Sequence, residues 1–106
     1  MKTWCWAKSN RPKYFKKALR LLLNMPLYNL TERTLSIAAG STRYDVYSWL
    51  DGDSLPSENE LRDVAGAFCL NLFGRVTCKE RNELFRELLI IVEAEKQMNR
   101  SRDEER

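Results

Sequence analysis

The sequence predicts an all-α protein, a compact domain of five helices of which the last is long. Apolar residues recur at helical spacing in five segments, and no segment shows the alternation of a half-buried strand. Three of the predicted helices begin with a hydroxyl residue followed three positions later by an acid, the capping-box pattern of a helix N-terminus. These pairs are Thr42 with Asp45, Ser57 with Glu60, and Thr77 with Glu80. The chain of 106 residues is long enough for one modest core.

The first helix is predicted to begin near Pro12, because proline suits the first turn of a helix. Pro26 ends this helix, since proline cannot continue the hydrogen-bond ladder. Its core-facing side is predicted to comprise Phe15, Ala18, Leu19, Leu22 and Leu23. Helix 2 is predicted from Thr31 to Ala39, after which Gly40 makes a tight turn.

Helix 3 is predicted to begin at Thr42 and to stop at Asp51-Gly52, and helix 4 to run from Glu58 to Phe68. The last helix is predicted from Lys79 to Asn99, and its apolar residues cover close to half of its circumference. That is wider than the usual stripe of roughly 100°. The breadth favours two partners, the domain itself and a second subunit; the alternative is a helix lying deep in its own domain. The residues assigned to the dimer contact are Leu84, Phe85, Leu88, Ile91 and Val92.

Composition indicates a globular protein, with 43% apolar and 31% charged residues. The longest wholly apolar run, Leu88 to Val92, is far too short for a membrane span, and no signal-peptide core follows the N-terminus. We therefore expect a cytoplasmic location and no membrane contact. Three widely spaced cysteines and the lack of histidine argue against a zinc site, a disulfide framework and histidine-assisted nucleophiles. We expect no cofactor, no bound metal and no enzymatic activity.

Charge is distributed unevenly along the chain. Residues 1–29 carry seven basic and no acidic side chains, residues 30–74 carry three basic and seven acidic ones, and residues 75–106 carry eight of each. A basic segment facing phosphates supplies salt-sensitive affinity. The acidic middle of the chain opposes such a contact.

A motif of ten residues runs without a gap through that acidic middle. It comprises Leu30, Thr31, Leu35, Gly40, Thr42, Val46, Trp49, Gly52, Pro56 and Ser57. With this order and spacing, the segment from Leu30 to Leu72 resembles the lambda-repressor-like (Xre/Cro) helix-turn-helix domain of bacterial and phage regulators. We divide the chain into a basic N-terminal arm (1–11), a helix-turn-helix domain (12–76), a dimerisation helix (77–100) and a charged tail (101–106).

The resemblance implies that the start of helix 3 meets base edges in the DNA major groove. Helical spacing points Leu35, Val46 and Trp49 into the core and leaves the opposite side of helix 3 facing outward. The residues assigned to DNA contact on this helix are Thr42, Arg43, Tyr44, Tyr47 and Ser48. An arginine here suits a guanine O6/N7 pair, a contact worth roughly 1–3 kcal/mol of discrimination. The alternative is that these side chains form only a polar surface.

Three positions depart from the family pattern. Glu32 replaces the usual glutamine at the head of helix 2 and would repel a phosphate. Leu50 replaces a frequent glutamate, so we expect apolar packing instead of the family's buried Arg–Glu pair. Cys69 falls where the family closes helix 4 with glycine, and a left-handed backbone at this residue would cost about 1 kcal/mol.

Basic residues near the N-terminus supply candidate phosphate contacts. Lys13, Lys16 and Lys17 are assigned to DNA binding, together with an arm in which Trp4 and Trp6 stand among cations. Such arms follow a phosphate backbone or enter a minor groove. One alternative is that the tryptophans join the core and the lysines form a solvated face. Another is contact with an acidic partner, including the acidic segment of a second copy.

Two functions agree with these features. The first is a small transcription regulator, expected to be a repressor, that binds double-stranded operator DNA as a homodimer through helix 3. The second is a protein-binding module on the same fold, either antitoxin-like or a sequestering regulator, which the acidic residues 30–74 and the broad apolar last helix favour. DNA binding weakens log-linearly with salt concentration whereas apolar partner binding does not, and this difference separates the two functions.

Overall fold

The computed structural model of the protein describes residues 6–25, 30–73 and 78–104. These residues form five α-helices and one turn of 3-10 helix, and none of them forms a strand, so the predicted all-α class is confirmed. The helices are α1 (Phe15–Leu23), α2 (Glu32–Ala38), α3 (Arg43–Asp51), α4 (Glu58–Phe73) and α5 (Cys78–Glu104), and the 3-10 turn is Lys8–Asn10. Within the same ranges, no helix combines the length and the apolar character needed to cross a membrane.

The turn between α2 and α3 is built from local signals. Gly40 has a φ of 68° and follows the end of α2, while the Ser41 N–H donates to the Ser36 carbonyl at 2.9 Å and so completes a Schellman motif. One residue later, Thr42 caps α3: its hydroxyl accepts from the Asp45 N–H at 3.1 Å, and the Asp45 carboxylate accepts from the Thr42 N–H at 3.3 Å. The capping box predicted here is therefore confirmed.

Other helix boundaries follow the same chemistry. The predicted box of Ser57 with Glu60 is formed at the start of α4, whereas Thr77, of the box predicted before the last helix, lies outside the described residues. A further capping box, Thr31 with Thr34, lies at the start of α2. It was missed because the residue three positions after the cap, Thr34, carries a hydroxyl group rather than a carboxylate. Gly52, with a φ of 82°, ends α3 as predicted.

Helices α4 and α5 are longer than predicted. Helix α4 runs to Phe73 rather than Phe68, so Cys69 is a buried residue within a helix and the cost of a left-handed backbone at this position does not arise. No glycine or proline follows Phe68 before Phe73, so nothing local stops the helix. For the same reason α5 continues to Glu104, and residues 101–104 of the predicted tail are helical.

The start of α1 was also wrongly placed. The helix begins at Phe15, and Pro12 lies buried in the segment before it, while Tyr14 is in extended conformation with a φ of −121°. A carboxylate from another helix sets this boundary: Glu95 of α5 accepts a hydrogen bond from the Phe15 N–H at 2.7 Å. It satisfies one of the backbone donors that a helix leaves open at its N-terminus.

The core lies where the five helices meet. Helix α5 packs along α4 and against α1, α3 packs against α1 and α2, and α2 also contacts α4. The largest side chains that are almost fully buried come from all five helices: Phe15, Phe68, Leu19, Leu22, Leu35, Leu61, Leu84, Leu88, Ile91, Val46 and Val64.

The five residues assigned to a dimer contact belong to this core. Leu84 and Leu88 are 0% exposed, Ile91 and Val92 are 1% exposed, and Phe85 is 8% exposed within the single chain. They are covered by the protein's own helices, so their assignment to a dimer contact was wrong. The apolar face of α5 is broad because it has two intramolecular neighbours, α4 and α1, which a helical projection cannot distinguish from one neighbour and a second subunit.

The described end of the N-terminal arm is bound to α5. Trp6 is 6% exposed, and its indole N–H donates to the buried carboxylate of Glu87 at 2.8 Å. Arg11 donates to the same carboxylate from Nε at 2.6 Å and from Nη2 at 3.1 Å. These hydrogen bonds raise the pKa of the Arg11 guanidinium, an effect that burial opposes. Residues 6–11 are therefore part of the folded domain rather than a free arm, while Trp4 lies outside the described residues.

We expect Glu87→Ala to lower the free energy of unfolding by about 2–4 kcal/mol, since it strands the Arg11 guanidinium and the Trp6 indole N–H without their buried acceptor. Urea denaturation followed by circular dichroism measures the change. The matched control is Glu83→Ala, which removes an exposed carboxylate one turn earlier on α5 and should cost less than about 0.5 kcal/mol. Equal effects of the two substitutions would contradict the anchoring role of Glu87.

We expect Glu95→Ala to destabilise the fold by about 1–2 kcal/mol through loss of the cap on α1. The control is Glu93→Ala, because the Glu93 carboxylate makes only an exposed contact with Lys96 at 3.7 Å. Native-state hydrogen exchange at the first turn of α1 provides the specific readout. Unchanged protection there in Glu95→Ala would show that the cap does not hold the helix start.

Candidate nucleic-acid interface

Helix α3 has one buried and one open side. Val46, Trp49 and Leu50 are buried beneath it, whereas Tyr44 is 79% and Tyr47 is 50% exposed. Arg43 is exposed too and makes no ion pair with any described residue. These side chains thus face outward as helical spacing predicted, and Leu50 takes the apolar role expected of it.

Two of the residues assigned to DNA contact also make hydrogen bonds within the fold. The Thr42 hydroxyl caps α3 and retains its own proton for donation. Ser48 is half-buried, and its hydroxyl lies 2.8 Å from that of Ser54 in the loop that follows α3. Of the five residues assigned to DNA contact on helix 3, Arg43, Tyr44 and Tyr47 are therefore the ones whose side chains have no such structural role.

The C-terminal helix does not cover this open side. Helix α3 is held from behind by α1 and α2, and α5 packs on α4 and α1. The exposure of Tyr44 and Tyr47 is measured in the presence of all three described segments. A ligand can therefore approach α3 from solvent.

The lysines assigned to DNA binding do not share one surface. Lys16 lies next to Gly52, the residue that ends α3. The Cδ and Nζ atoms of Lys16 are 3.0 Å and 3.5 Å from the position that a Cβ atom on Gly52 would occupy. Lys13 and Lys17 instead line a separate groove on the other side of α1. Their assignment to one phosphate-binding surface with Lys16 is corrected accordingly, because neighbouring residues of a helix point about 100° apart.

Arg20 is a second cation beside α3, and the sequence analysis missed it. Its Nη2 donates to the Leu50 carbonyl at 3.0 Å and lies 3.9 Å from the carboxylate of Asp51. The Nε also donates to the same carbonyl, at 3.3 Å. The signal that would have found it is the spacing of four residues from Lys16, which places both side chains on one flank of α1. Together they put positive charge at the negative end of the α3 dipole.

Charge around α3 is mixed. Between Glu32 and Asp53 the chain carries two cations and four carboxylates. An open groove of about 320 Å³, between the end of α1 and the start of α2, is lined by Arg20, Glu32, Tyr47 and Asp51, among others. Lys16 and Arg20 add two cations from α1, so the open side of α3 is flanked by both signs. The chain matches no family model, no curated protein and no solved structure.

Proposed function

We propose that this protein is a small transcription regulator that binds DNA through a lambda-repressor-like helix-turn-helix unit, with α2 as the supporting helix and α3 as the recognition helix. The observation that carries the proposal is the outer side of α3, where Arg43 makes no ion pair with any described residue. Arg43 lies there between the capped N-terminus of the helix and the exposed side chains of Tyr44 and Tyr47. The resemblance in sequence and the four-residue connection from Ala39 to Thr42, which contains Gly40, support it.

The dimensions of α3 suit the major groove. Nine residues span about 13 Å, and the groove of B-DNA is about 12 Å wide. Arg43 would donate to guanine O6 and N7, and Tyr44 would pack on a thymine methyl group or donate to a phosphate. Lys16 and Arg20, at the far end of the helix, would contact the phosphate backbone and set the register.

The proposal includes binding as a homodimer and repression by occluding polymerase. One short helix reads few base pairs, and a two-fold dimer would place two copies of α3 about one duplex turn apart on a pseudo-palindromic operator. The buried residues of α5 are no longer the proposed contact. Among the described large apolar residues of α5, Ile90 is the one substantially open to a second subunit, at 46% exposure.

A specific observation favours the second function, a protein-binding module. Ile37, on α2, is 70% exposed and Tyr44, on α3, is 79% exposed, so apolar surface flanks the turn between these helices. The carboxylates of Asp51 and Asp53, both exposed, would repel phosphates but not a protein. An antitoxin-like or sequestering regulator would use this surface to hold an apolar partner.

We expect Arg43→Ala to weaken binding to a selected DNA site by on the order of tenfold to a hundredfold, through loss of a bidentate base contact. The site is first obtained by selection from random duplex DNA at near-physiological salt, and affinity is then measured by fluorescence anisotropy. Arg86→Ala, which removes an exposed arginine from α5, is the matched control for net charge and should leave affinity nearly unchanged.

The salt dependence of binding separates the two functions. Binding of duplex DNA should weaken log-linearly with salt concentration, and the selected sites should contain paired half-sites if a dimer binds. Failure to select any sequence, with salt-insensitive binding to a protein partner that Ile37→Glu abolishes, would overturn the DNA-binding proposal in favour of the protein-binding module.

A further inference from the structure

A second cationic surface lies on the opposite flank of α1 from α3. It is an open groove of about 570 Å³, formed by residues 9–14, which precede α1, and by Lys17 and Leu21 on α1 itself. Arg11, Lys13 and Lys17 line it, and no carboxylate lines it among the described residues. The groove therefore concentrates positive charge on a protein whose other described surfaces mix both signs.

The cations of this groove are available to a ligand. Lys13 and Lys17 are exposed and make no ion pair within the described part of the chain. Arg11 is held in place by two hydrogen bonds from Nε and Nη2 to Glu87, and its side chain remains 25% exposed. A guanidinium fixed in this way loses little further freedom on binding, which favours affinity.

The groove also has apolar walls. Pro12 is buried beneath it, Leu21 is half-buried and packs on the core, and Tyr14 is 37% exposed. A purely ionic ligand such as a phosphate backbone makes no use of these groups, whereas a peptide carries carboxylates and apolar side chains together. The cations and apolar walls of the groove thus complement an acidic peptide segment that contains apolar residues.

The position of the groove separates it from the proposed DNA-binding surface. Lys16 and Arg20 occupy the flank of α1 that contacts the end of α3, and Lys17 and Leu21 occupy the other flank. The buried residues Phe15, Ala18, Leu19 and Leu22 lie between the two flanks on the inner side of the helix. The two surfaces adjoin at Tyr14, because the Lys16 Nζ lies over its ring, 5.6 Å from the ring centre.

From this geometry we infer that the groove of Arg11, Lys13 and Lys17 binds an acidic peptide segment of a partner protein. Carboxylates of the segment pair with Lys13 and Lys17, while Arg11 is already paired with Glu87, and an apolar side chain of the segment packs between Tyr14 and Leu21. Because none of the residues that line the groove belongs to α3, the inference does not depend on what α3 binds.

The test uses the full-length protein and a fluorescein-labelled synthetic peptide composed of glutamate, aspartate and leucine. Lys17→Glu and Lys79→Glu are matched variants, since they change net charge equally at exposed positions and only Lys17 lines the groove. We expect Lys17→Glu to weaken peptide binding by on the order of tenfold, because it places like charges opposite each other, and Lys79→Glu to leave it nearly unchanged. Circular dichroism confirms that both variants fold.

Three outcomes would overturn the inference. Equal weakening by both variants would mean that the peptide responds to overall charge rather than to the groove. Undetectable binding to the unmodified protein would remove the site. Displacement of the peptide by a duplex oligonucleotide, with Lys17→Glu weakening duplex binding to the same degree, would assign the groove to nucleic acid instead.

Discussion

Two buried carboxylates on α5 determine where the N-terminal part of the molecule lies. Glu87 and Glu95 are 4% and 8% exposed, and a buried carboxylate is tolerated only when it is hydrogen-bonded. Glu87 accepts from the Trp6 indole and the Arg11 guanidinium, and Glu95 accepts from the first N–H of α1. They lie about 12 Å apart along the helix and so fix both the approach to α1 and its first residue.

The placement of α1 in turn determines what surrounds α3. With Phe15 held by Glu95, the inner side of α1 faces the core, Lys16 and Arg20 face the end of α3, and Lys17 faces away from it. Arg20 then satisfies the Leu50 carbonyl, one of the acceptors that a helix leaves open at its C-terminus. The two proposed binding surfaces thus lie on different flanks of one nine-residue helix, whose first residue is held by a carboxylate 80 residues away in sequence.

The sequence predicted those features that local chemistry controls. Hydroxyl caps placed the starts of α3 and α4 within one residue, since the groups that satisfy these helix ends are neighbours in the chain. The start of α1 was missed because its cap comes from α5. The end of α4 was placed too early, where the family's closing glycine falls at Cys69, although the chain's own glycine, Gly74, comes directly after Phe73. The end of α5 was missed because no glycine or proline marks it in the sequence. The outward orientation of Arg43 and Tyr44 was predictable from helical spacing, whereas the division of the lysines between two surfaces was not.

The acidic composition of residues 30–74 need not exclude binding of nucleic acid, because a phosphate interacts with all charges near it in space, whichever segment of the chain they come from. Exposed charges interact over roughly 10 Å at moderate ionic strength, so a phosphate near the end of α3 experiences Lys16 and Arg20 as well as Asp51. These two cations come from the basic N-terminal segment and offset the carboxylates at that end of the helix. The start of α3 differs, since Asp45 is engaged in the cap and Arg43 stands beside it without a described ion-pair partner. DNA affinity at such a surface would therefore depend more on base contacts by Arg43 than on a general attraction for phosphates. A substitution of Arg43 would then lower the affinity for DNA and the sequence specificity together.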